Sequence, residues 1–382
     1  MLFKVAMAAL LAPVLLADDL IDDDDDLGPY IQEHLLYVFD ISSYGSTYPQ
    51  TNVTGIRDPS EVGLNGTLTP FGKRQMYLKG REMQKRYVHD RGFLDPNNFT
   101  FEVAAVALPD PASQVSAQAF FAGLYSQGDL SLLDDNQTAN AVPPFPLSSD
   151  WWPSPDNYGG SPIAHGVQSV PIYTAGMWNW KQQMLLKGND EEICPIVGET
   201  RYHELLEDSV SAQAMRSLND TFMAWLTVMN EDLQFNDEGQ IITIPPPIVT
   251  SLADQVALVN EIMFQHLENR YLPYDLSTDD FALIEDFARQ YSYYYMNGNA
   301  TIVALANTMI FREIQQVFNE TAFRYWSGAP RGKKYSYKST RPETLATLLR
   351  GFDVSYKEWP HHLVPRFASS IIIKLYSLVE IN

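Results

Sequence analysis

The stretch that most constrains this chain runs from Leu35 to Pro49, LLYVFDISSYGSTYP. A compact apolar run, Leu35 to Phe39, is broken by Asp40 and followed by Ser42, Ser43 and Gly45. It predicts a short buried strand over 35–41 that opens into a polar turn. The pattern then repeats. Leu68-Thr69-Pro70 predicts a helix start, with Thr69 as N-cap and Pro70 at the first helical position, where a missing N–H costs nothing. Phe71, Met76, Met83 and Tyr87 fall on one face of that helix. Lys73, Arg74, Lys79, Arg81, Lys85 and Arg86 are expected mostly on the solvated face, and Gly92 marks the end. Phe101 to Leu108 predicts a second buried strand, and Pro109-Asp110-Pro111 launches a helix to Tyr125. Strand, helix, strand, helix is the alternation of a parallel sheet with crossover helices. In such a sheet the loop beyond the end of the first strand is where ligands are held.

Residues 126–165 are rich in Pro, Ser, Asp and Asn and are expected to be irregular, with Val170 to Tyr173 as another short strand. From Glu199 to about Arg324 the pattern is helical throughout, with apolar stripes such as Leu218, Phe222, Trp225, Leu226 and Met229, and no strand signal. Lys334 to Lys338 and the β-branched run from Ala368 to Leu378 return to strand. The order is that of an α/β domain interrupted by a helical insert.

The formal charge of −21 argues against nucleic acid and anionic lipid as partners. Met1 to Ala17, with Lys4 ahead of an apolar stretch from Val5 to Leu16, has the character of a secretory signal cut after Ala17. An acidic leader over 18–27, five consecutive aspartates included, follows and is expected to be solvated. Seven Asn-x-Thr triplets, at Asn52, Asn65, Asn98, Asn136, Asn219, Asn299 and Asn319, agree with export and N-glycosylation. Cys194 is the single cysteine, so no intrachain disulfide exists. No metal-ligand spacing, nucleophile elbow or phosphate-cradling Gly-rich loop occurs, and no cofactor is expected. His89-Asp90 reads as the solvated end of a helix and His361-His362 as loop residues.

Several blocks, in order, resemble the histidine acid phosphatases. Leu68-Thr69-Pro70-Phe71-Gly72 with Gln75 is similar to that family's LTPxGxxQ helix start, and Ser116-Ala117-Gln118-Ala119 with Gly123-Leu124-Tyr125 to its SAQ…GLYP helix. Val170-Pro171-Ile172, Cys194-Pro195 and Pro365 to Ser370 resemble further blocks. The resemblance spans about Leu36 to Tyr376. It implies a three-layer α/β/α domain of the phosphoglycerate-mutase type, with a mostly parallel sheet and an inserted helical cap. The divisions it implies are a first core part over 28–185, the cap over 186–324 and a second core part over 325–382.

The family's chemistry uses an RHGxRxP loop, in which a histidine attacks phosphorus and two arginines hold the phosphoryl oxygens. Here Ser43 and Thr47 stand at the arginine positions and Tyr44 at the histidine. A third arginine position carries Val106, and the family's HD pair is replaced by Arg341-Pro342. Each charge-assisted hydrogen bond to phosphate contributes about 1.5–3 kcal/mol, so losing three arginines removes several kcal/mol of binding. The resemblance with these replacements predicts a chain that is not an enzyme: a secreted pseudophosphatase with a structural or binding role among extracellular or cell-surface proteins. Two alternatives stay open, an acid phosphatase using relocated residues such as Glu343, and a carbohydrate- or anion-binding module in the cleft near Arg341.

Overall fold

The computed structural model describes residues 3–10, 31–50, 59–97, 99–126, 133–141, 168–176, 179–188, 190–206, 210–231, 234–235, 241–242, 251–270, 272, 276–330, 332–352 and 367–380. The acidic leader, Asn52, Asn98 and His361-His362 lie outside them. In chain order the elements are β1 (Phe3–Leu10), β2 (Ile31–Ser43), α1 (Pro70–Gln84), α2 (Phe99–Glu102), β3 (Val103–Ala107), α3 (Pro111–Leu124), α4 (Asp135–Asn140) and β4 (Ile172–Thr174). Then come α5 (Trp180–Lys187), α6 (Pro195–Leu206), α7 (Val210–Glu231), β5 (Gln234–Phe235), β6 (Ile241–Ile242) and α8 (Leu252–Leu267). The chain closes with α9 (Thr278–Gln290), α10 (Ala300–Ser327), β7 (Tyr335–Thr340), α11 (Pro342–Gly351) and β8 (Ser370–Glu380).

One six-stranded sheet, ordered β1-β8-β2-β7-β3-β4, organises the described residues. β2, β7, β3 and β4 are parallel neighbours, and β8 runs antiparallel to both β1 and β2. β1 falls inside the segment read as a signal. Alternation along β2 sends Tyr37, Phe39 and Ile41 into one core, shared with Leu186, Ile310 and Leu345 of α5, α10 and α11. Val38 faces the other core, shared with Met76, Phe120, Phe121 and Leu124 of α1 and α3. Helices therefore cover both faces, which makes the fold a three-layer α/β/α arrangement. A third cluster joins Phe222 and Leu226 of α7, Val259 and Ile262 of α8, and Phe287 of α9.

Local chemistry explains most boundaries. Thr69 caps α1 by accepting from Gly72 N, and Asp110 caps α3 by accepting from Ser113 N, each ahead of a proline. Ser251 and Ser277 form capping boxes with Asp254 and Asp280. Four readings need correction. The second strand starts at Val103, because 99–102 form a helical turn that leaves Phe101 72% exposed. A small hairpin, β5 with β6, lies inside the stretch read as wholly helical. Phe71 is exposed, since α1 turns its packed face through Met76 and Met83. Lys79, three residues after Met76 and four before Met83, leans to that packed face and is half-buried. Cys194 is half-buried and free.

Candidate functional site

β2 carries Ser43 and Tyr44 to the end of the sheet, beside the ends of β7 and β3 and the start of β8. Backbone contacts pin the turn. Ser43 N donates to Ser369 O at 2.9 Å, Tyr44 N to Thr340 O at 3.1 Å, and Ala368 N to Tyr44 O at 2.8 Å. Ser43 Oγ accepts from Ser369 N at 3.0 Å. Gly45 N donates to Ser116 Oγ at 3.1 Å, and Ser46 N to Gln75 Oε1 at 2.9 Å. Gly45 has a steric role: a Cβ there would stand 2.3 Å from Gly72 O, so loop and α1 meet backbone to backbone.

The Tyr44 ring stacks on Phe367 at 6.1 Å. Burial raises the pKa of its phenol, Glu343 and Asp110 push it the same way, and Arg341 opposes them. Tyr44 is thus a neutral phenol, a hydrogen-bond donor rather than a phenolate. Arg341 is the N-cap residue of α11 but makes no side-chain cap. Its guanidinium, 35% exposed, lies 3.4 Å from Asp190, which also holds Lys187 at 3.1 Å. Pro342 occupies the first position of α11, and Glu343 in the first turn favours the helix dipole. Thr47 is buried and bridges to Leu68. Val106 packs against the core on the α10 side. Ser43, Tyr44, Arg341 and Glu343 therefore gather at one end of the sheet, and Val106 serves the packing behind them.

The helical segment reaches this loop through Glu268 and Arg270. Glu268 Oε1, just past α8, accepts from Ser46 Oγ and from Thr69 Oγ1, both at 2.6 Å. Arg270 pairs with Glu268 at 3.0 Å, binds both oxygens of Glu61 at 2.7 Å, and lies over the rings of Tyr48 and Phe264. Sequence reasoning missed this latch, since no local pattern links residues some two hundred positions apart. It also missed a polar cluster beneath the loop. Lys79 Nζ donates to Ser42 Oγ at 2.7 Å and to Ser369 O at 3.3 Å. Ser42 Oγ donates to Asp40 Oδ1 at 2.7 Å, and Tyr335 Oη donates to Asp40 Oδ2 at 2.6 Å. Burial lowers the Lys79 pKa to about 8 against a partial pull from Asp40. Asp40 inside an apolar run was the available signal. Among the described residues no group of three or more His, Cys, Asp or Glu could hold a metal ion.

No family model matches the chain, and no curated protein matches it. Solved structures do. A Hafnia alvei phytase in complex with myo-inositol hexakis sulphate superposes with TM-score 0.57 at 12% identity, covering 91% of this chain and 82% of that one. The chain carries the histidine acid phosphatase fold. A Klebsiella phytase matches with TM-score 0.56 at 12% identity over 90% of this chain and 78% of that one. A Bifidobacterium longum multiple inositol polyphosphate phosphatase with inositol hexasulfate gives 0.53 at 11% over 90% and 84%. These likenesses correct one expectation. The chain was expected not to be an enzyme, yet the structures sharing its histidine acid phosphatase fold are named phytases and a phosphatase. No described helix is long and apolar enough to cross a membrane.

Proposed function

We propose that this chain is a secreted, N-glycosylated protein of the histidine acid phosphatase fold that binds a partner in an extracellular or cell-surface assembly. The observation that carries the reading is the make-up of the cleft at the end of β2. Half-buried Tyr44 offers a neutral phenol over the buried Ser43, and Arg341 offers one ion-paired guanidinium with Glu343 and Asp110 close to Tyr44. Such a floor suits the hydroxyls or a single carboxylate of a carbohydrate better than a highly charged group. The sequons support export: Asn65, Asn136 and Asn319 are exposed. The test is intact-mass and glycopeptide analysis of material secreted from eukaryotic cells, with glycan-array binding of wild type and Arg341→Ala. An unglycosylated intracellular product, or binding indifferent to Arg341, sinks the reading.

A second reading, phosphomonoester hydrolysis by groups of the same cleft, is favoured by the names of the solved neighbours. It is tested with 4-nitrophenyl phosphate and inositol hexakisphosphate from pH 3 to 8. Turnover lost in Tyr44→Phe or Arg341→Ala supports it, and absence of turnover in the wild type excludes it.

A further inference from the structure

At the opposite end of the sheet, where β2, β3 and β7 begin, lies a cavity of about 540 Å³ closed on one side by the C-terminal half of α10. Leu35, at one end of its lining, and Tyr44 are nine residues apart, about 30 Å of extended strand, while Lys338, which also lines it, stands in register with Ile41. Its volume is that of small-molecule sites, roughly 300–1,000 Å³. The floor is apolar: Leu36, Tyr37, Ala104 and Val317 line it, and Phe101 stands exposed at its edge.

The charges divide into two sets. Lys338 pairs with Glu313 at 2.6 Å and Lys334 pairs with Glu102, so these cancel within the wall. At the mouth Arg324 donates a long 3.3 Å bond to Pro330 O, and Lys333 lines the cavity as well. Glu320 is the opposing carboxylate and accepts from Gln316 Nε2 at 2.8 Å. Over the whole lining, four basic residues (Arg324, Lys333, Lys334 and Lys338) stand against Glu313, Glu320 and the Glu102 that pairs with Lys334, an excess of basic groups in a chain of formal charge −21. Burial also lowers the pKa of Lys333, a cost that an incoming anion relieves.

We propose that this basal cavity binds a small amphipathic anion, an aryl or medium-chain aliphatic carboxylate, with its apolar body on Leu36 and Val317 and its carboxylate at Arg324. A second cavity of about 450 Å³ shares Leu35, Leu36, Phe93, Tyr325 and Lys334 with the first, and Glu33, His34 and Arg91 make its lining polar. The site stands on its own observations and not on any reading of the Tyr44 cleft.

The probe is 1-anilinonaphthalene-8-sulfonate titrated into the full chain, with competition by octanoate, decanoate and dodecanoate. One saturable site is expected, competed by all three acids, each added methylene raising affinity about fourfold, the ratio for ~0.8 kcal/mol per buried CH₂. Val317→Trp fills the floor and Arg324→Glu reverses the mouth, and each is expected to weaken binding at least tenfold with the far-ultraviolet circular dichroism unchanged. Lys73→Ala, on the exposed face of α1 and outside this lining, leaves the titration as it was. Should Val317→Trp misfold, Arg324→Glu on the exposed rim decides. Absence of saturable binding, binding that survives Arg324→Glu, or binding lost in Lys73→Ala overturns the proposal.

Discussion

Replacing Lys79 by methionine is expected to flatten the alkaline side of the stability curve. Burial of its ammonium between α1 and the sheet lowers the Lys79 pKa from 10.5 to about 8, with Asp40, itself held by Ser42 and Tyr335, pulling weakly the other way. The folded state therefore sheds this proton at lower pH than the unfolded chain. Below pH 8 both states are charged and the burial cost is borne in full. Between 8 and 10.5 the unfolded chain binds more protons, so stability rises with pH. The two values give a gain of about 2 kcal/mol between pH 7 and 9.5. Urea denaturation of wild type and Lys79→Met at those two pH values isolates it, because the tyrosines, which begin to ionise only in the unfolded chain, contribute equally in the two proteins. Wild type is expected to gain about 2 kcal/mol relative to the variant. Parallel curves for the two proteins would refute the burial argument.

Gly45→Ala is expected to destabilise by about 3 kcal/mol or more, because the new methyl would lie 2.3 Å from Gly72 O; thermal unfolding of the variant measures it. Arg270→Met leaves Glu268 and Glu61 without their shared cation. It is expected to cost about 1–3 kcal/mol and to speed limited proteolysis of the helical segment at unchanged cleavage elsewhere. In an absorbance titration of phenols, Tyr44, Tyr335 and Tyr337, all raised by burial, are expected to stay protonated past pH 10 and to ionise only on unfolding, so the folded protein shows fewer than its 21 tyrosines. Asn219 accepts from Gln255 at 2.6 Å and is half-buried in α7, so glycopeptide mapping is expected to find it less occupied than Asn65 or Asn319.

Much of the fold was legible because its signals are local. Thr69-Pro70 and Asp110-Pro111 start helices through hydrogen bonds that span three residues, and the apolar run before Asp40 is a strand whatever surrounds it. The ordered blocks around Gly72, Ser116 and Ser369 carried the resemblance, and the superposed phytases share that fold. Phe101 misled because an apolar residue before a strand looks like its first member, yet here it ends a helical turn on the rim of a cavity.

The site was legible in outline only. Sequence placed Ser43, Tyr44, Arg341 and Glu343 near one another through the resemblance, and nothing local revealed Glu268, Arg270 or the proton held low on Lys79. What the sequence alone determined was the alternation of elements, their caps and the chemical types present at the end of β2. Which carboxylate meets which hydroxyl, which lysine is taken out of water, and whether a cavity opens under α10 were decided by the packing of α1, α8 and α10 on the sheet. The reason is physical: caps and periodicity act within a turn or two of chain, whereas desolvation and ion pairing depend on groups that the chain brings together from hundreds of residues apart.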